Sequence, residues 1–242
     1  MGFLIHFLNN MKKKKGKLIV IDGTDGSGKA TQVEILSKRL KKEGYTVKNV
    51  DFPEYYKNFF GAFIANCLRE QYYNWVNVHP KIASIAYAAD RWESSLEIKK
   101  WLAKGYIVIA NRYVSSNQIH QGGKVLDTKK RKDFLKWLDQ MEYEVFKIPR
   151  PDVVFYLSLP ISIVHKLIDN RKKSGGTRAY LRRKDDVHET DINHLENARK
   201  SALKLVKELN NFIKIDCAPK GDILSRQEIG EIVYKNVIKI LK

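Results

Sequence analysis

Short apolar runs alternate along this chain with longer stretches in which apolar residues recur every three or four positions, and that alternation predicts strands and amphipathic helices in turn. Leu18-Ile19-Val20-Ile21 is the first such run. Gln32 to Glu43 sets Val33, Ile35, Leu36 and Leu40 among Lys and Glu, a helix stopped by Gly44, and Thr46 to Phe52 reads as the second strand. Helical spacing from about Lys81 to Lys104 stops at Gly105, just before the apolar strand Tyr106 to Ala110. Asp133 to Phe146 is helical, Pro151-Asp152 opens a strand from Val153 to Leu159, and Ile161 to Arg171 returns to helix. After a charged, glycine-containing segment from Lys172 to Glu189 come a helix to about Asn210, a strand from Phe212 to Asp216 and an amphipathic helix from Ser225 to Leu241. Strands this apolar, separated by helices, imply a parallel sheet covered on both faces, an α/β fold whose ligands sit beyond the carboxyl ends of the strands.

Length and charge change this picture little. The 242 residues suffice for one substantial core, and no stretch resembles a domain boundary, so 17–242 is expected to be a single domain preceded by a flexible arm, 1–16. The formal charge of +18 points to polyanionic partners, but its lysines are spread along the whole chain, which argues against a specific nucleic-acid surface. Cys67 and Cys217 have neither a redox nor a metal spacing, which fits a reducing, cytoplasmic setting. The apolar start, Met1 to Leu8, is too short to span a bilayer, its lysines (Lys12 to Lys15) follow it, and His6 spoils a myristoylation pattern, so no membrane partner is expected.

The chemistry concentrates where the first strand ends. Gly23-Thr24-Asp25-Gly26-Ser27-Gly28-Lys29-Ala30-Thr31 has the phosphate-loop spacing, in which glycine-rich backbone lets N–H groups converge on phosphate oxygens and Lys29, expected at the loop surface, adds a positive charge. The hydroxyl residue that usually follows the lysine and reaches Mg²⁺ is Ala30 here, with Thr31 one place late. All nine residues are expected to bind ATP, which makes the sheet that of a P-loop NTPase.

The other strand ends narrow the possibilities. The second ends in Asp51-Phe52-Pro53-Glu54-Tyr55, the long helix carries Tyr87-Ala88-Ala89-Asp90-Arg91-Trp92-Glu93, and the third strand ends in Asn111-Arg112-Tyr113-Val114-Ser115-Ser116-Asn117. With the loop, this set resembles the thymidylate kinase family, P-loop enzymes that move the γ-phosphoryl of ATP onto dTMP. The resemblance implies Mg²⁺ as cofactor, ATP and dTMP as partners, and a homodimer formed through helix packing. It implies that Arg112 bridges the acceptor and transferring phosphates, a task suited to a guanidinium. Asp25 would contact the deoxyribose 3′-hydroxyl and help hold Mg²⁺. Tyr87 would stack on thymine, Arg91 would read the base edge from the same helical face, Phe52 and Tyr55 would pack on the nucleoside, and Ser116 and Asn117 would face the base. The basic segment 171–189 is similar to a lid that closes over ATP. Within it Arg183 is the candidate transfer-assisting cation, and Arg183, Asp186 and Glu189 share one helical face, with Glu189 a second candidate metal ligand. The family's usual Asp before the arginine is Asn111 here, and His120, at a position often aromatic in the family, is expected in the pocket wall with Gln121. The competing readings are a kinase for another nucleoside or monophosphate and a non-catalytic nucleotide- or nucleic-acid-binding protein, the latter favoured by Ala30, Asn111 and the charge.

Overall fold

The computed structural model describes residues 15–69, 72, 74–173 and 192–241. Five parallel strands, β1 (Lys17–Gly23), β2 (Val47–Asp51), β3 (Ile107–Asn111), β4 (Val153–Ser158) and β5 (Phe212–Asp216), lie in the order β2-β3-β1-β4-β5. The connecting helices are α1 (Lys29–Lys42), α2 (Phe59–Leu68), α3 (Pro80–Ala103), α4 (Thr128–Asp139), α5 (Ile161–Lys173), α6 (Ile192–Glu208) and α7 (Arg226–Leu241). Alternate residues of β1 go to opposite faces of the sheet. Leu18 and Val20 enter a core shared with α3, α4 and α6, whereas Ile19 and Ile21 enter one shared with α1, α5 and α7. With both faces covered, a strand needs no polar positions, and all five residues of β3 and all six of β4 are buried.

Two helices depart from the sequence pattern. Nothing in the periodicity assigns α2, because FFGAFIANCL is apolar nearly all round and offers no contrast between faces. Its start is fixed instead by Asn58, whose Oδ1 accepts from Gly61 N at 2.7 Å, and by Glu93 of α3, which accepts from Phe60 N at 2.9 Å. The helix expected from Asp133 begins at Thr128, capped by Asp127, whose carboxylate accepts from Lys130 N at 2.8 Å. It then widens into a π stretch, Gln140–Val145, and a second one, Asn117–Gln121, follows the short turn Val114–Ser116. Such stretches shift side chains off the regular helical faces. No helix among the described residues is long and apolar enough to cross a membrane.

Candidate active site

The carboxyl ends of β1, β2 and β3 meet α3 around one cavity that opens to solvent. All eight residues expected to hold the acceptor line it: Asp25 from the loop, Phe52 and Tyr55 beyond β2, Tyr87 and Arg91 from α3, and Arg112, Ser116 and Asn117 beyond β3. Pro53, Leu68, His120 and Gln121 complete the wall, and Gln121 Oε1 is buried without a hydrogen-bond partner.

At the phosphate end the loop after β1 turns on Gly26 and Gly28, with φ of 79° and 84°, a left-handed conformation that costs glycine nothing. Gly28 also caps α1 without a side chain, so the first N–H groups of that helix are left to an anion. Thr24 Oγ1 and Ser27 Oγ are buried beside them without partners. Lys29 lies deeper than expected, and the loop-surface placement is corrected: its side chain is 7% exposed and Nζ donates to the carbonyls of Gly23 at 3.0 Å and Thr24 at 2.9 Å. An amine with four methylenes reaches back under the loop because the backbone carbonyls there are the nearest acceptors.

Arg112 is one of two non-glycine residues among the described ones with positive φ, 64°. Its backbone N–H still joins the ladder, donating to Ile21 O at 3.0 Å, while the left-handed turn carries the side chain across the end of β1. There the guanidinium pairs with Asp25, lies 3.9 Å from Asp22 and meets Ser116 Oγ at 3.3 Å and His120 Nε2 at 3.1 Å. His120 Nδ1 lies 3.4 Å from His194 Nε2 at the start of α6, and the two rings stack. Asp22 is fully buried and accepts from Gly23 N, Ser115 Oγ and Ser116 Oγ at 2.5 to 2.8 Å. The hydroxyl of Ser116, expected at the base edge, is thus engaged at the phosphate end.

At the base end Tyr87 is half buried and its hydroxyl accepts from Trp75 Nε1 at 3.1 Å, the two rings meeting edge to face. Phe52 is 2% exposed and packs on Tyr113 with ring centroids 5.7 Å apart, so it is core and cavity wall at once. Arg91 is held by the wholly buried Glu142, which also accepts from Asn117 Nδ2 at 3.0 Å. Arg171 and Lys172 fall at the end of α5, whereas Arg183, Asp186, Glu189 and most of the expected lid lie outside the described residues.

The profile of the thymidylate kinase family matches residues 21–227. The chain belongs to the thymidylate kinase family. Among known proteins, a thymidylate kinase of Halothermothrix orenii is 30% identical over 227 residues, 92% of this chain and 97% of that one. A thymidylate kinase of Plasmodium falciparum is 36% identical over 148 residues, 61% of this chain and 64% of its own length. Among solved structures, a thymidylate kinase from Candida albicans shares the fold with a TM-score of 0.69 at 22% identity, covering 93% of this chain and 92% of that one. Within this thymidylate kinase frame, sequence reasoning missed Trp75, Glu142 and His194, which act behind the cavity wall and fall in no motif. Only the isolated indole of Trp75 in a polar stretch was a usable signal.

Kinases of this kind use ATP with a divalent metal. Ala30 offers no side-chain oxygen, but Asn111 Oδ1 is buried at the strand end without a partner, and Asp25 of the loop pairs with Arg112, the next residue along the chain. No group of three His, Cys, Asp or Glu among the described residues makes a metal cage. This sparse oxygen set fits a hard cation that arrives with nucleotide phosphates and keeps several waters.

Proposed function

We propose that the loop takes ATP and the cavity takes dTMP with their phosphates meeting at Arg112, and that Mg²⁺ is the metal used. The reaction is that of the family, transfer of the γ-phosphoryl of ATP to dTMP to give ADP and dTDP. The observation that carries the reading is that Arg112, in the wall of the cavity, touches Asp25 of the phosphate loop, so acceptor and donor ends share one contact.

Phosphoryl transfer asks the protein mainly to position two anions and neutralise the charge between them. In the free protein both cations are held by local acceptors, Lys29 by loop carbonyls and Arg112 by Asp25. Phosphate oxygens replace those acceptors when nucleotides bind, so each cation exchanges a local partner for a phosphate at the same end of the sheet. Asp25 and Asn111 are the residues that would hold a Mg²⁺ arriving with the nucleotide, and the ion would supply neutralisation of phosphate charge. Arg183 and Glu189 complete the proposal from the lid. Tyr87 supplies the stacking face, and its hydroxyl bond to Trp75 fixes the ring plane.

The same reading includes a homodimer in the cytoplasm. On α3, Ile82, Ile85, Trp92 and Leu96 share one face and are 47 to 63% exposed, and Phe59 of the adjoining α2 is 74% exposed. A face this apolar suits a second copy of the chain. Sedimentation of the wild type and of Leu96→Glu tests it, with a dimer expected only for the former.

Coupled ADP release with dTMP, dUMP, dCMP, dGMP, dAMP and thymidine tests the activity. Turnover with dTMP far above the others is expected. Preference for thymidine itself would make the chain a nucleoside kinase, and no turnover with any acceptor would favour a binding protein softened at Ala30 and Asn111.

A further inference from the structure

Behind the base end of the cavity lies a buried hydrogen-bond network that the motifs do not contain. Glu142, on the π stretch that ends α4, is 0% exposed. Its Oε2 accepts from Arg91 Nε at 2.9 Å, and its Oε1 accepts from both Arg91 Nη2 and Asn117 Nδ2, the latter at 3.0 Å. The second N–H of Asn117 Nδ2 donates to the carbonyl of Ser84 in α3 at 3.1 Å.

Both donors of the Asn117 amide are therefore committed to groups that can only accept, a carboxylate and a backbone carbonyl. Turning the amide over would set its oxygen against two acceptors inside a buried site, which is costly. Asn117 lines the cavity, so the atom left for a ligand is its carbonyl oxygen. Arg91 is likewise tied through Nε and Nη2, and among the described residues Nη1 makes no hydrogen bond to the protein. The wall thus shows a fixed acceptor beside a fixed donor.

We propose that Glu142 is a positioning residue that sets pyrimidine selectivity by locking this acceptor-donor order. The proposal rests on the reading of the cavity as the dTMP site. Thymine and uracil carry a donor at N3–H next to an acceptor at O4, which matches the wall. Cytosine carries an acceptor at N3 next to the N4 amine, the reverse order. Asn117 would have to turn over to receive it, and Glu142 forbids the turn. Hydrogen-bonding sites of this kind reject the mismatched ligand strongly because their own polar groups are left unpaired. Glu142 touches no ligand itself, and the 5-methyl group lies outside its influence.

The test is kcat/KM of wild type and Glu142→Gln for dTMP, dUMP and dCMP. An amide at 142 can turn an N–H toward Asn117, which removes one of the two acceptors opposing the turned-over amide and leaves the Ser84 carbonyl as the other, so the lock is weakened. The dTMP:dCMP ratio should fall by about tenfold or more, while the dTMP:dUMP ratio stays unchanged. A merely structural role would lower all three values together and leave both ratios in place, and that result overturns the proposal. Should Glu142→Gln fail to fold, NMR of the wild type decides. The two side-chain N–H signals of Asn117, assigned by their loss in Asn117→Ser, should exchange slowly with water, and fast exchange overturns the lock. A wild type inactive toward dTMP removes the underlying reading and this inference with it, whereas a dTMP-selective wild type with an equally selective Glu142→Gln removes the inference alone.

Discussion

Lys29→Met separates two roles that the phosphate-loop lysine combines in this chain. Its ammonium makes hydrogen bonds of 3.0 and 2.9 Å to the carbonyls of Gly23 and Thr24, and it stands 4.0 Å from Asp25. A hydrogen bond involving a charged group contributes about 1.5–3 kcal/mol, so the pair is worth roughly 3–6 kcal/mol before compensation. Methionine follows the same buried path and keeps the apolar stem, and no ammonium then has to be desolvated, which together offset about a third. The net loss is about 2–4 kcal/mol, and at roughly 2–4 °C per kcal/mol for a chain of this size the melting temperature should fall by about 4–16 °C. Turnover should fall by about 10²–10³-fold or more, the usual cost of removing a preorganised charge from the transferring group. Calorimetry of the free protein and coupled ADP release at saturating ATP and dTMP measure the two quantities. An inactive variant with the wild-type melting temperature would refute the structural part, and unchanged turnover would refute the phosphate role.

Other expectations follow from the same site. Tyr87→Ala should weaken dTMP by about 1–3 kcal/mol and ATP hardly at all, and Trp75→Phe should raise KM for dTMP by a smaller factor because it removes the hydrogen bond to the tyrosine and trims the buried ring behind it while the stacking face stays; equal losses for both nucleotides would assign the pair to packing. Asn111→Asp should lower the free Mg²⁺ needed for half-maximal rate, since it returns a carboxylate to the strand end, and a higher requirement would misplace the metal. Burial raises the Asp90 carboxyl from 3.8 to about 6, against the opposing effects of Asn58, Arg91 and the Glu54 backbone. A carboxylate raised in the folded state destabilises it as pH climbs through this window, so Asp90→Asn should become relatively more stable between pH 4 and pH 6, by up to about 3 kcal/mol at pH 8. Urea midpoints at pH 5 and pH 8 check this, and an advantage that does not grow with pH counts against it.

The sheet, the helices other than α2 and the residues that line the cavity were legible because each rests on a local signal. An apolar run makes a strand, a glycine ends a helix, and Arg112 must follow β3 into the cleft. What stayed hidden depends on depth or on distant partners. A motif names Lys29 but does not say that its ammonium lies under the loop. Glu142 looks like any helical glutamate until the π stretch turns it inward to Arg91 and Asn117. The apolar sequence of α2 hides its own periodicity, although Asn58 three residues before Gly61 was a readable cap. Ser116 was assigned to the base by its place in the motif, whereas the nearer carboxylate of Asp22 takes its hydroxyl.

The central position of β1 also governs how the molecule is made. The strand that carries the phosphate loop pairs only with β3 and β4, which begin at residues 107 and 153, so it has no hairpin partner and no neighbour in sequence. Parallel pairing over such separations requires large loops to close before any contact rewards them, which makes folding slow. On the ribosome Leu18 to Ile21 emerge early and wait, unpaired and fully apolar, until more than a third of the chain has followed. During that interval they are the segment most open to capture by chaperones or by other nascent chains.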